Sequence, residues 1–304
     1  MLKKADLHIH STFSDGELTP MEILDICNKE NINVISITDH DNFEGVKKAI
    51  KENPYKNITI IPGIEFSAFY PKGTLHILGY NFDTNDPVLK QISFDLDRLN
   101  RIKLENLLYA LKKFQNISFK ESEIDEIMTS AGTVGRPYIA RLLVSYRFVN
   151  SVSEAFKYIL NPLRKKIANP KFDISAYECI KYIKLAGGIT SIAHPVTLKK
   201  DITSTTRYIE NLQKYGLDAI EVFHSSHTQD NRSDFLSIAN KLGLLISGGS
   251  DFHGINTKPA IQIWSGKNNN LMLNDDLTII KKITRWYKCL KTLNSMLIAL
   301  KKRR

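Results

Sequence analysis

The chain has 304 residues, 42% of them hydrophobic and 24% charged, a globular composition able to fill the core of one large α/β domain or two modest ones. No apolar run approaches the roughly 20 residues of a membrane span, and MLKKADLHIH starts basic without an apolar segment behind it, so a cytoplasmic location with no secretory signal is expected. The net charge of +10 suits an anionic partner such as RNA, but Lys outnumbers Arg and Ile and Asn are abundant, as codon bias also produces, so charge alone makes no nucleic-acid claim.

The first predicted element is the strand ADLHIH, followed by a helix over TPMEILDICNKEN that Thr19 caps and Pro20 starts. NVISITDHD is a second strand, FEGVKKAIKEN a second helix, and ITIIPGIEFSAFY and TLHILGYNF are further strands. Short apolar strands with helices between them imply parallel βα units. From about Asp95 the pattern changes: DLDRLNRIKLENLLYALKKF is one long helix, and short helices continue to EAFKYIL without a convincing strand. After Pro170 the βα rhythm resumes, with strands in ITSIAHP, DAIEVFHSS and LLISGGSDFHG separated by helices. The expected organisation is a discontinuous α/β barrel over 1–95 and 170–275, a helical cap over 96–169, and a basic amphipathic helix over 276–304. In that last segment Ile279, Ile283, Trp286, Leu290, Leu293, Leu297 and Leu300 form a heptad-like stripe. It suits a helix docked on the barrel, a self-associating helix, or a basic surface for RNA or anionic membrane. Cys27, Cys179 and Cys289 are odd in number, far apart and in predicted helices, which suits reduced thiols and excludes a cysteine metal site.

Polar residues interrupt the apolar strands only at their ends or just beyond. They are His8, His10 and Asp15, then His40 in TDHD, Glu65 in GIE, His76 in TLHI, His194 in IAHP, and Asp251 with His253 in SDFH. In parallel βα barrels the C-terminal strand ends converge on one face, where active sites are built. Successive strand residues point to opposite sides, so the i, i+2 pairs His8/His10 and Asp251/His253 can each aim both members at one centre. A lone strand histidine is usually a hydrogen-bonded core or surface residue. Nine metal-type side chains in one register are hard to explain without metal. Imidazole and carboxylate without thiolate suit Zn, Mn or Fe alike.

In that order, HIHSTFSDG, TDHD, GIE, the isolated His of TLHI, AHP and GSDFHG resemble the motifs of the PHP (polymerase and histidinol phosphatase) superfamily of metal-dependent phosphoesterases. The resemblance runs to about Gly266. Within it, GRPYIARLLV followed by EAFKYIL resembles the subgroup that includes RNase AM and the nucleoside 3′,5′-bisphosphate phosphatases. The resemblance implies an α/β fold, a distorted seven-stranded (β/α) barrel, with two or three divalent cations, commonly Mn2+, with Zn2+, Fe2+ or Mg2+ as alternatives. By motif, His8, His10, Glu65 and Asp251 would hold one ion, Glu65, His76 and His194 a second, and Asp15, His40 and His253 a third.

The chemistry expected of such a centre is in-line attack on phosphorus by a metal-bound hydroxide held at Glu65, Asp251 and His194. Arg136 and Lys165 in the cap, with His224 at the mouth, are the expected substrate contacts. His227 is a further rim candidate, and Asp39 or Asp41 a carboxylate able to orient a ligand imidazole. Two positions depart from the resemblance: Tyr138 stands where the GRP segment has His, and Thr197 where AHP is followed by Arg. The expected substrate is a nucleotide or short RNA: a bisphosphate such as pAp losing its 3′-phosphate, or 5′-phosphorylated RNA releasing mononucleotides from its 5′ end. Histidinol phosphate is the alternative substrate, and a nonenzymatic module of a DNA polymerase assembly the alternative role.

Overall fold

The structure, a computed structural model, describes residues 2–71, 73–130, 132–167 and 173–285, without the side chain of residue 165. Strand β1 (Lys4–Ile9) pairs in parallel with β2 (Ile32–Ile37), which pairs in parallel with β3 (Thr59–Ile60). A second sheet runs β4 (Gly63–Ala68), β5 (Leu75–Tyr80), β6 (Ile189–Ile192), β7 (Ala219–His224), β8 (Leu245–Gly249). Strands β9 (Ile261–Gln262) and β10 (Gly266–Lys267) form a separate hairpin. The distorted seven-stranded barrel expected from the motifs is not seen as one closed ladder: the described strands fall into three open sheets. Single bridges, Ile9 to Phe252 and His40 to Glu65, join the two main sheets where a closed barrel would have full ladders.

The expectation of parallel units throughout also needs correction. Strand β5 is antiparallel to both β4 and β6, because the link from β4 to β5 is only the segment 69–74, too short for a crossover helix. A consequence follows for the site: His76 lies near the start of β5, and the reversal puts that start at the same end as the C-terminal ends of the parallel strands.

Helices cover the outside. In α1 (Pro20–Lys29) Thr19 and Glu22 form a reciprocal capping box with Pro20 in the first turn. Helix α2 is Glu44–Glu52 and α3 is Pro87–Gln115. The long helix thus begins eight residues before Asp95, because Asp86 caps it at Leu89 N and Pro87 can occupy a first turn without losing a hydrogen bond. Then come α4 (Glu121–Thr129), α5 (Arg136–Ser145) and α6 (Val152–Glu154), which leads through a π-helical stretch at Ala155–Leu160 into α7 (Asn161–Ile167). Outer helices α8 (Ala176–Leu185), α9 (Ile202–Gln213) and α10 (Gln229–Leu242) complete the chain order.

Three apolar clusters fill the interior. The largest lies between strands and outer helices, including Ile9, Ile23, Ile37, Phe66, Ile77 and Ile180. A second closes the other end of the strands around Leu7, Leu78 and Tyr80, and Ile279 and Ile283 from the helical residues 278–285 are buried in it. The first two stripe residues are thus taken up by docking, while Trp286 through Leu300 and Cys289 lie outside the described residues. The third cluster belongs to α3–α7 alone, around Leu104, Leu107, Ile139, Leu143 and Leu160. Cys27 and Cys179 are buried free thiols.

Candidate metal centre

The nine residues meet at one end of the strands, around Glu65. That carboxylate is fully buried on β4. Its Oε2 lies 3.3 Å from His8 Nε2, 3.2 Å from His10 Nε2 and 3.2 Å from His40 Nδ1. Its Oε1 lies 2.9 Å from His76 Nδ1 and 3.0 Å from His194 Nε2. Asp15, beyond β1, is 3.2 Å from His253 Nε2 and 3.5 Å from His10 Nδ1. Asp251 Oδ1 reaches His10 Nε2 at 3.3 Å and His253 Nδ1 at 3.4 Å. All eight histidines of the sequence, His227 included, lie at this end.

Whether a cation fits is decided by the orphan atoms. His8 Nε2, His10 Nε2, His40 Nδ1 and Glu65 Oε2 are buried without a hydrogen-bond partner, although the three nitrogens surround the one oxygen. Buried polar atoms are almost always satisfied, so several converging on one point fit a cation bound among them. Ligand atoms of His8, His10 and Glu65, of His40, Glu65 and His76, and of His10, Asp15, His40 and His253 lie within 4.8 Å of one another in each group. The shifts run both ways: burial pushes His8 and His10 down, but the carboxylates beside them outweigh it and raise His8 well above its ordinary value and His10 to about 9. Burial pushes Glu65 and Asp15 up, but the imidazoles around them outweigh it and hold both well below the usual carboxylate range. Burial likewise pushes His76 and His253 down to about 4, keeping them neutral with lone pairs available.

The backbone is bent to make these aims. His194 and Asp251 both take positive φ, 26° and 58°, a conformation that costs non-glycine residues about 1–3 kcal/mol and persists where the surroundings impose it. His194 is held there by two partners. Its backbone N–H donates to Glu221 Oε2 at 2.6 Å, and its Nδ1 meets Thr197 Oγ1 at 3.1 Å. Thr197, the departure from the resemblance, thus orients His194 in place of an arginine.

Glu221 escaped the sequence reading. It is fully buried on β7, and its Oε1 accepts from His8 Nδ1 at 2.9 Å, fixing the tautomer that turns His8 Nε2 into the cup. Its signal was available: a glutamate inside the apolar strand DAIEVF. The expected orienting acids do something else. Asp39 accepts from Ser11 N, Ser11 Oγ and Ser14 Oγ, touching His10 only through Ser14, and Asp41 accepts from Ser67 N and Asn100 Nδ2.

One cavity of about 540 Å3 runs from His40, Glu65, His76 and His194 to the cap. There Leu104, Leu107 and Phe156 form its walls together with Arg136 and Arg164. Arg136 stacks over Phe156 and donates to Asn161 Oδ1 at 3.0 Å; burial, then Arg164, push its pKa down to about 10. Neither arginine has a carboxylate partner among the described residues, whereas Lys103 at the same wall is paired with Asp173 at 2.8 Å. Lys165 is on α7, but its side chain lies outside the described residues; its neighbour Arg164 faces the cavity. His224 does not line it. It is buried beside Asp251, with Nε2 3.3 Å from Oδ2. Tyr138 donates to Ser14 O, and Thr133 N to Phe13 O at 2.8 Å, tying the cap to the loop that carries Asp15.

The model of the PHP domain matches residues 6–172, which include six of the nine cup positions. The chain belongs to the PHP domain family. It is 30% identical to a 5′-3′ exoribonuclease of Haemophilus influenzae over 90% of this chain and 96% of that one. It is 29% identical to a 3′,5′-nucleoside bisphosphate phosphatase of Chromobacterium violaceum over 82% of this chain and 86% of that one. A solved structure of an amidohydrolase from Chromobacterium violaceum with bound sulfate superposes with a TM-score of 0.76 at 27% identity, covering 93% of this chain and 96% of the other. This PHP domain is a phosphoric ester hydrolase with a donor set for divalent cations.

Proposed function

We propose that the enzyme hydrolyses the phosphoester on the 3′ side of a 5′-phosphorylated nucleotide, releasing phosphate from bisphosphates such as pAp and mononucleotides from the 5′ end of RNA. One observation carries this reading: a single cavity joins the cation cup to two guanidiniums that have no acid partner among the described residues. Arg136 and Arg164 suit a terminal 5′-phosphate, and Arg can grip it with two parallel N–H donors. The apolar walls between, Leu104, Leu107 and Phe156, suit a nucleoside. What leaves at the cup then depends only on whether the 3′-phosphate is terminal or continues into a chain. The two relatives carry names for those two reactions.

His8, His10, Glu65 and Asp251 would hold one cation, Glu65, His76 and His194 a second, and Asp15, His40 and His253 a third; Mn2+, Zn2+, Fe2+ and Mg2+ all suit such donors. When bound, the cations supply an activated water and neutralise charge on the phosphoryl oxygens. Around them Glu221 and Thr197 hold His8 and His194 in their aims, and Tyr138 keeps the cap over the Asp15 loop. The seam bridges support a distorted seven-stranded barrel over 1–95 and 170–275, and the separate apolar cluster of α3–α7 supports a cap over 96–169. Nucleotide and RNA substrates suit a cytoplasmic location; no described helix is long and apolar enough to cross a membrane.

Turnover of pAp, a 5′-phosphorylated RNA oligomer and histidinol phosphate, measured side by side with added Mn2+, tests the proposal. The expected result is hydrolysis of the first two, with mononucleotides from the RNA 5′ end. Faster turnover of histidinol phosphate than of either would overturn it, and no turnover of any would favour a nonenzymatic module.

A further inference from the structure

Lys258 is a cation at the cup that the nine-residue set leaves out. It ends the loop after β8, and its Nζ lies 2.6 Å from Asp251 Oδ2 and 3.4 Å from the Asp251 carbonyl. The two oxygens of Asp251 face different ways. Oδ1 points at His8, His10 and His253, while Oδ2 meets Lys258 and His224. The ammonium therefore holds the carboxylate from outside and leaves the inner oxygen to the cup. With its side chain 33% exposed, Lys258 lines the same cavity as His40, Glu65 and His194.

The loop is built to keep it there. Glu17 accepts from Asn256 N and Nδ2, both at 3.0 Å, and from Thr257 Oγ1 at 2.7 Å. Gly254, at φ +104°, lies so close to Glu17 that a Cβ would come within 2.5 Å of its carboxyl carbon, and the Lys258 N–H donates to the Gly254 carbonyl at 2.9 Å. An ammonium has three donors in all. Its two acceptors both belong to Asp251, no second acid pairs with it among the described residues, and its side chain lines the cavity, so one donor is left for a ligand there.

We propose that Lys258 binds a non-bridging oxygen of the scissile phosphate, with Asp251 as the anchor that presents it. The proposal rests on the metal-dependent reading above. Phosphoryl transfer spreads charge over three equatorial oxygens, and a fixed ammonium beside the cup meets one of them. The same ammonium repels a cation loaded on Asp251, so its removal acts on the two ligands differently: phosphate binds more weakly, and the cation binds at least as well.

The experiment is calorimetric. Mn2+ is titrated into chelator-stripped native protein, Lys258→Gln and Lys258→Arg, and inorganic phosphate into each Mn2+-saturated form. The expected result is phosphate binding at least about tenfold weaker in Lys258→Gln and within about threefold of native in Lys258→Arg, as for loss or retention of a charge-assisted bond. Mn2+ affinity in Lys258→Gln should be no weaker than native. Phosphate binding unchanged in Lys258→Gln would overturn the proposal. So would a loss of Mn2+ affinity in that variant, which would make Lys258 only a support for Asp251. Native protein that takes up no Mn2+ would instead overturn the metal reading beneath it.

Discussion

At the strand ends, depth is filled by polar atoms that answer one another: Glu65 beneath five imidazoles, Glu221 behind His8, Asp39 behind Ser11 and Ser14. Across the cavity, the cap fills the same depth with Leu104, Leu107, Ile139, Leu143 and Leu160. Several cup donors have a neighbour that fixes tautomer or aim: Glu221 for His8, Thr197 for His194 and the Asp251 carbonyl for His253. The cap is a packed platform whose Arg136 stands against Asn161 and Phe156 at the cavity wall, with Arg164 lining the same cavity. Chemistry should therefore fail sharply when the cup is altered. Changes in the cap should alter only what is bound.

The largest effect is expected at Glu65, the one carboxylate common to two cation groups. Glu65→Gln keeps the shape and removes the charge, and should lower kcat for pAp by about a thousandfold or more at saturating Mn2+. A variant within tenfold of native would break the contrast. Next comes the cap: Arg136→Ala should raise KM for pAp by roughly 10- to 100-fold with kcat little changed, the signature of lost uniform binding. Its KM for a generic aryl phosphate, which has no 5′-phosphate to anchor, should stay near native. Equal rises for both substrates would remove the anchoring role.

The same contrast explains what was legible. His8/His10 and Asp251/His253 announce themselves because a two-residue period in an apolar strand has one geometric meaning, and the cup inherits it. The reversed β5 was not legible: TLHILGYNF carries no mark of direction, and only the shortness of 69–74 betrays it. Glu221 was overshadowed by His224 and His227 three and six residues on, which were read as contacts at the rim of the same mouth. In the cap the sequence pointed to Arg136 but not to Arg164, because which charge on a short helix faces a cavity depends on helical phase, and RKK offers several charges in a row. Lys258 was missed because its aim comes from Glu17, more than two hundred residues away, a contact no local pattern encodes.

A smaller effect separates the cup from its own support. Glu221 touches no cavity, yet it fixes His8, so Glu221→Gln should weaken Mn2+ binding by about 10- to 100-fold, as outer-shell partners do. KM for pAp at saturating Mn2+ should barely move. The reverse pattern, native Mn2+ affinity with a raised KM, would assign Glu221 to the substrate instead.

The smallest effect concerns His227, which lies beside His224 and under Phe235 and takes no part in the cup. Burial, then the neighbouring His224, push its pKa down to about 3, and its Nδ1–H donates to the Val222 carbonyl at 2.9 Å. Above pH ~6.5 both folded and unfolded forms are neutral here and the group leaves stability unchanged; below it the unfolded chain binds a proton that the folded one refuses. Stability should therefore fall with acidification by up to about 1.4 kcal/mol per pH unit from this group, from pH ~6.5 down toward the folded value. His227→Asn can keep the donor to Val222 and removes the titration. Native protein and variant, both stripped with chelator, share the depressed His76 and His253, so those contributions cancel in the difference between their urea-unfolding curves. The variant should be less stable at pH 7, through lost packing on Phe235, and the gap should narrow steadily between pH 6.5 and pH 4.5. Parallel curves over that range would mean that His227 takes up its proton at the same pH in the folded as in the unfolded chain, and that its packing on Phe235 does not shield it from water.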